Sequence, residues 1–316
     1  MHQHVIVLTS GGMTGAHLDT LSAVADRFTA LRTRPPDLPG AVAAALAEVA
    51  GPEPSPDLLP LQAAGTALAA KIDASAAGHK EPPYHNRYHF AETVLAMGWL
   101  CSLAREQGLF SASLATLGVI AMTGHDWGHD GSLPDQGKLE GEAAAVVLAV
   151  VAPLPDAGCE VVRAVILGTD PAQVAANAAR AAGKLPPGPL GPRVDLLCNL
   201  ANEADVFASF LPALAWQQAE ALAAEWRGHA LGATVTTYAG RLAFLRTYGC
   251  FSAPARSMGL ADLRDRQVEA FTRAAKRLDA GATPEAGAAA LDRMPRAKAQ
   301  ALYAAVLRKK REPETP

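Results

Sequence analysis

The chain has 316 residues, half of them hydrophobic and 19% charged, which is enough apolar material for a large core and too much for a disordered chain. Its formal net charge is −3, without the basic surplus that a general nucleic-acid binder uses to neutralise phosphates. Aromatic residues make up only 5% and alanine is abundant, a composition that favours helices over strand-built folds. From the N-terminus, residues 14–32 repeat apolar side chains (Leu18, Leu21, Val24, Phe28) at three- and four-residue steps, the period of a helix buried on one face. Pro35, Pro36, Pro39 and Gly40 then break the chain before an alanine-rich helix over 41–50. A further Gly/Pro break at 51–56 precedes a helical pattern over 58–75. Long helical patterns cover 90–106, 111–127, 141–151 and 160–167, and the four prolines of 182–193 predict a surface loop. Helices resume over 194–210, 212–226, 235–248 and 262–278, and a last one over 295–307 precedes a frayed tail, 308–316. No internal repeat and no glycine-rich dinucleotide fingerprint interrupts this series, so the expected architecture is all-α, one compact multi-helix domain.

Cys101, Cys159, Cys198 and Cys250 stand far apart with no C-x-x-C pair, so neither a disulfide framework nor a zinc knuckle is expected. The opening Met1–Leu8 lacks the basic leader of a secretory signal. No apolar run approaches the roughly 20 residues that cross a bilayer. These features predict a soluble cytoplasmic protein that engages neither nucleic acid nor membrane.

Four of the nine histidines fall in two short stretches, Pro83-Tyr84-His85-Asn86-Arg87-Tyr88-His89-Phe90-Ala91-Glu92 and Ala121-Met122-Thr123-Gly124-His125-Asp126-Trp127-Gly128-His129-Asp130-Gly131. His85/His89 and His125/His129 are each four apart, the spacing at which two side chains share one helix face. A lone helical histidine is usually a satisfied core or surface residue, but two pairs and an adjacent His-Asp dipeptide are harder to explain that way. Imidazole nitrogen binds a borderline transition metal, and a carboxylate can bridge that metal to a second, harder one. Such a site needs ligands from distant helices. His89 is one candidate, and Asp205, set among the small apolar residues of 200–207, is another. An unpaired carboxylate there would be costly unless a cation or hydrogen bonds compensated it; an ordinary ion pair or a helix cap is the plainer alternative.

Tyr84-His85-Asn86-x-x-His89, then His125-Asp126-x-x-His129-x-Gly131, then Ala204-Asp205 resembles the HD-domain superfamily of metal phosphohydrolases, and more narrowly the catalytic domain of bacterial-type class I 3′,5′-cyclic-nucleotide phosphodiesterases. Leu139-Glu140, Ile166-Leu167-Gly168-Thr169-Asp170, and Trp216 through Glu225-Trp226 with Phe244-Leu245 resemble further segments of that family, over about residues 80–250. The resemblance implies a catalytic domain over 76–307 with its metal site between helices, and an N-terminal helical segment, 1–75, packed on it. It implies that His89, His125, Asp126 and Asp205 hold the tighter of two divalent metals, zinc or else iron or manganese. Asp126 would bridge to a second, magnesium or manganese, whose other ligands are mostly water. A hydroxide between the metals would attack phosphorus, with His85 as general acid for the departing oxygen. His129, Glu140 and Asp170 match positions that hold metal-bound waters or line the site. Tyr84, Arg241 and Phe244 are the candidate substrate-binding residues, with Tyr84 and Asn86 also shaping the helix start.

The chain departs from the family pattern at the substrate pocket. Ala208 stands where the family usually has asparagine, Pro171-Ala172-Gln173 replaces a continuation to histidine, and Arg241 falls at the base-reading glutamine. Arginine only donates, so it cannot exchange donor and acceptor as an amide can; it suits a phosphate, a carboxylate or the acceptor edge of guanine. Phe244 offers either a platform for a ring or plain core. The leading expectation is a two-metal phosphodiesterase acting on a cyclic nucleotide or related small phosphodiester. The alternatives are a phosphomonoesterase or nucleotidase on the same scaffold, a mixed-valence di-iron oxygenase, and a non-catalytic binding module with a structural metal.

Overall fold

The computed structural model describes residues 16–52, 55–133 and 136–308, which form α-helices and short 3₁₀ turns with no strand among them. Helices α1 (Ala16–Leu31), α2 (Leu38–Ala50) and α3 (Leu59–Ala76) lead to α4 (Arg87–Glu106) and α5 (Ala112–Thr123). There follow α6 (Lys138–Val151), α7 (Asp156–Leu167), α8 (Val174–Ala181) and α9 (Pro192–Asp205). The short α10 (Phe207–Phe210) joins α9 to α11 (Ala215–Glu225), α12 (Ala230–Val235) and α13 (Tyr238–Thr247). The chain ends in α14 (Ala253–Ser257), α15 (Leu260–Arg277), α16 (Pro284–Asp292) and α17 (Arg296–Arg308). The helix starts are written in the local chemistry. Asn86 Oδ1 accepts from the Tyr88 and His89 amides, and Ser111, Thr237, Ser252 and Thr283 cap α5, α13, α14 and α16 in the same way. Proline occupies the first turn of α2, α3, α9, α14 and α16.

Helix α4 is the spine. Every residue from His89 to Cys101 is buried, enclosed by α2, α5 and α9. At its crossing with α2 a Cβ added to Gly98 would lie 3.0 Å from the Ala45 Cβ, so two small residues set the distance between the axes. Phe28 of α1 stacks on Trp99 at 5.7 Å and meets Phe207 edge-on at 6.2 Å, joining the N-terminal helix to one continuous core that also takes in α15 to α17. Arg32, just past α1, holds Glu92 of α4 through two hydrogen bonds of 2.6 and 2.9 Å. No helix among the described residues is long and apolar enough to cross a membrane.

Several elements differ from the periodicity reading. The helix expected over 111–127 stops at Thr123, because Gly124 ends it and Gly128 and Gly131 take left-handed φ values of 91° and 83°. His85 precedes the cap of α4, and His125 and His129 lie in turns beyond α5. Neither histidine pair shares a helix face, and the four-residue spacing is instead that of a cap followed by its helix and of consecutive turns. The segments read as single helices over 194–210 and 235–248 divide at Val206 and Thr237. Helices α8, α14 and α16 escape the periodicity reading because they are only 8, 5 and 9 residues long, too short to repeat an apolar face. Met1–Leu8 lies outside the described residues, as does the expected tail except for Arg308, which closes α17.

Helix α9 is buried despite its polar residues, because each finds a partner. Asn202 and Asn177 both donate to the Gly168 carbonyl at the end of α7, at 2.7 and 2.8 Å, and Asn177 Nδ2 also donates to Asn202 Oδ1 at 2.9 Å. Glu203 accepts from the Ser252 amide at 2.5 Å, the Ser252 hydroxyl at 2.7 Å and Asn199 Nδ2 at 3.1 Å. Burial outweighs those bonds and pushes the Glu203 carboxyl up to about 7. In the folded protein it keeps its proton where the unfolded chain has lost it. Its contribution is therefore absent below about pH 4.5 and becomes destabilising as pH rises to about 7, by about 3 kcal/mol in all. Chemical denaturation of the wild type and Glu203→Gln between pH 4.5 and 7.5 should show stability falling with pH more steeply in the wild type; parallel curves would contradict the raised value.

Candidate metal centre and active-site cavity

Three separate parts of the chain meet at the N-terminal end of α4. The Asn86 cap fixes the first turn and so directs His89 inward. The turn after α5 carries His125 and Asp126, and the last residue of α9 is Asp205. One ligand atom from each of the four lies within 4.8 Å of the others. His89 Nε2 stands 3.2 Å from Asp126 Oδ2 and 3.1 Å from Asp205 Oδ1, while His125 Nε2 stands 2.9 and 3.4 Å from the same oxygens. The other ring nitrogen of His125 is engaged with the Met122 carbonyl at 3.0 Å, which sets Nδ1 as donor and turns Nε2 toward the two carboxylates.

This is a donor set that suits a cation. His89 Nε2 is buried without an aligned hydrogen-bond partner, although two carboxylate oxygens stand near it. Nitrogen and oxygen ligands about 2.0–2.2 Å from a shared ion fall at such mutual distances. The charges act on each other in the same sense. Burial by itself would lower the histidines, but Asp126 and Asp205 outweigh it, raising His89 to about 9 and His125 well above its usual value. Burial likewise opposes ionisation of the two carboxyls. It is overcome by His125, His85 and His89 at Asp126, and by His125 and His89 at Asp205, so that both stay below the usual range.

Asp126 and Asp205 form one end of a cavity of about 200 Å³, whose other walls include Trp216, Leu222, Trp226, Val235, Phe244 and Tyr248. His85, His129 and Glu140 line the same polar end. Glu140 Oε2 is buried without a partner, and burial, with Asp170, Asp126 and Asp205 nearby, raises its carboxyl. Asp170 does not line the cavity. It caps the turn between α7 and α8 by accepting from the Ala172 amide at 2.9 Å, and its neighbours Thr169 and Pro171 line the wall. The Tyr84 ring lines the cavity against His85 and His89, at 4.8 and 4.6 Å.

Glu225, the last residue of α11, organises His85. One oxygen accepts from the Tyr84 and His85 amides at 2.9 and 3.1 Å, and the other takes a short hydrogen bond from His85 Nδ1. Although burial opposes it, these bonds hold the Glu225 carboxyl below its ordinary value. The His129 ring stacks on His85 at 3.7 Å and 17°. Its Nδ1 accepts from the Gly131 amide at 2.9 Å, and burial together with the His85 charge lowers its pKa, keeping it neutral. Gly131 combines a left-handed φ with a close approach, since an added Cβ would lie 3.0 Å from Glu225 Cγ. In the sequence Glu225 belongs only to a segment that resembles the family's, and an acid near the end of a helical pattern is its one local signal, because its partner lies 140 residues away.

Arg241 and Phe244 line the cavity as well, and the outer nitrogens of Arg241 are already engaged with the protein. Its Nη1 donates to the Ser209 carbonyl, and its Nη2 donates to Gln267 Oε1 at 2.6 Å and the Phe210 carbonyl at 3.4 Å. The guanidinium lies 5.1 Å over the Phe244 ring. Burial pushes it down to about 10, so it remains charged at neutral pH while tying α13 to α10 and α15. Arg241→Ala leaves two carbonyls and a glutamine oxygen to find other donors. We expect a loss of about 2–3 kcal/mol in denaturant unfolding; a change below about 0.5 kcal/mol would show that the arginine is not structural.

No protein-family model matches the sequence, and no curated protein matches it. The fold is similar to that of two solved structures. The phosphodiesterase domain of Salpingoeca rosetta rhodopsin phosphodiesterase superposes with a TM-score of 0.52 at 15% identity, covering 71% of this chain and 84% of that one. LmjPDEB1 in complex with IBMX superposes with a TM-score of 0.50 at 14% identity, covering 94% of this chain and 100% of that one. At these identities the likeness is one of fold: this chain has the all-α architecture of phosphodiesterase catalytic domains.

Proposed function

We propose that the chain is a metal-dependent phosphodiesterase acting on a 3′,5′-cyclic nucleotide or a related small phosphodiester. The observation that carries this reading is the convergence of His89, His125, Asp126 and Asp205 at one end of an apolar-walled cavity, with His85 beside them on a carboxylate anchor. The two similar structures are phosphodiesterases by name, and one of them is a complex with the small-molecule inhibitor IBMX, in keeping with a small ligand here. The charge balance points the same way. Among the described residues, Arg241 is the one Lys or Arg that lines the cavity and its terminal nitrogens are engaged, while Asp126, Asp205 and Glu140 face the same space. An anionic phosphoester would meet net negative charge there unless cations intervened.

His89, His125, Asp126 and Asp205 would hold the tighter ion, zinc or else iron or manganese. Asp126, which faces the cavity, would share a second, magnesium or manganese, with waters ordered by Glu140 and His129. Bound divalent ions would supply a water of lowered pKa and neutralise charge growing on the phosphoryl oxygens. The chain's own residues do the rest. Glu225 fixes the His85 Nδ1 proton, so Nε2 is the atom that can present a proton to a departing oxygen. The His129 stack holds the plane of that ring. The Trp216, Trp226 and Phe244 walls favour a planar apolar group and keep water from it.

Two measurements test this. Divalent metal content of the purified protein should fall to near zero in Asp126→Ala, and phosphodiester hydrolysis with it; hydrolysis that survives metal removal would overturn the assignment. His85→Ala should keep its metal and lose about 10²–10⁴-fold in kcat on a cyclic nucleotide, with a smaller loss on a nitrophenyl ester whose leaving group needs no proton. Equal losses on both esters, or loss of metal, would remove His85 from the acid role.

A further inference from the structure

Of the cavity-lining residues, Gln218 is placed in a way that neither the metal cluster nor His85 explains. It is 2% exposed, lines the cavity, and belongs to the face of α11 formed with Ala215, Ala219 and Leu222. Its Nε2 donates to Glu92 Oε2 at 2.9 Å. Glu92 is itself buried on α4, one turn beyond His89, and each of its oxygens accepts from Arg32, Oε1 from Nε and Oε2 from Nη2. A carboxylate paired in this way with a guanidinium offers the amide acceptors only. The Gln218 amide therefore cannot turn over: its NH₂ must face Glu92 and its oxygen must face away. Gln218 Oε1 is buried with no hydrogen-bond partner.

A buried acceptor left unpartnered weakens a fold, and a ligand donor brought to it removes that penalty, which makes it a discriminating contact. The other residues of this face are alanine and leucine, beside the Trp216 ring, so the group that packs here is planar and apolar apart from its edge. We propose that Gln218 is a specificity-determining residue whose Oε1 accepts a hydrogen bond from an N–H on the base of the substrate. Glu92 and Arg32 act through it as positioning residues. The assignment rests on the phosphoester reading of this cavity. It places base selection on α11, whereas the sequence pattern had placed it at Arg241, and it favours bases that carry an amino or imino donor on the bound edge.

The test uses ligand pairs that differ by one donor, read by calorimetric binding to the metal-loaded full chain so that turnover is not required: GMP against IMP, and AMP against purine riboside 5′-monophosphate. The kcat/KM ratios of the corresponding 3′,5′-cyclic nucleotides are measured beside them. The wild type should prefer the donor-bearing member of at least one pair by about tenfold or more, the scale of one buried hydrogen bond. Gln218→Leu, or Gln218→Met should the first fold poorly, should reduce that ratio to within about twofold of unity. Glu92→Gln, which allows the Gln218 amide to present either end, should narrow or reverse it. No discrimination in the wild type, or wild-type discrimination kept in the Gln218 variants, would overturn the proposal. Discrimination without any hydrolysis would leave the proposal standing and overturn the phosphodiesterase reading; hydrolysis without discrimination would do the opposite.

Discussion

The rest of the structure depends on one electrostatic constraint: two carboxylates and two imidazoles are packed within 4.8 Å of one another against the start of the long buried helix α4. Burial opposes ionisation of both Asp126 and Asp205. The histidines, or a cation in their company, make the arrangement tolerable. The helices around the cluster fix its geometry from three directions: the Asn86 cap at the start of α4, the glycine-terminated turn after α5, and the end of α9. Each of these is a point where regular backbone stops, which lets side chains from distant segments converge without breaking helix hydrogen bonds.

A second layer of buried polar residues holds those three ends in register. Asn177 and Asn202 close the end of α7 onto α9, and Glu203 pins α9 to the start of α14. Glu92 joins α1, α4 and α11, and Glu225 ties the end of α11 to the loop before α4. Arg241 and Gln267 together hold the Phe210 carbonyl, so the C-terminal helices support the cavity floor. The cavity is thus bounded by apolar rings but positioned by buried amides and carboxylates. The chain concentrates its polar hydrogen bonds where precision of placement is needed and leaves the outer packing to alanine.

Much of this was legible in the sequence, for physical reasons that vary by element. The long helices with Leu, Val and Phe at three- and four-residue steps were readable because burial on one side leaves a period. The all-α architecture followed from composition. His89, His125 and Asp126 stand out through the two four-residue histidine pairs and the adjacent His-Asp dipeptide, Asp205 as a carboxylate that is costly in apolar surroundings, and the family resemblance joins the four. The secondary structure around them was less accessible. Four-residue spacing suggested shared helix faces, whereas Asn86 and Gly124 end the helices next to the histidines. Glu225 and Gln218 gave weaker signals, since each acquires meaning from a partner 126 or more residues away. The sequence offers Arg241 as a donor to a base, a phosphate or a carboxylate, and the fold adds that Ser209, Phe210 and Gln267 accept from its outer nitrogens.

The central claim is that His89, His125, Asp126 and Asp205 bind one ion together. X-ray absorption at the zinc edge of the protein loaded with one equivalent of zinc addresses it directly. The account predicts a first shell of nitrogen and oxygen at about 2.0–2.1 Å with the outer-shell scattering of two imidazoles, one of which disappears in His89→Ala. A shell containing sulfur, or one whose imidazole scattering is unchanged by that substitution, would contradict it.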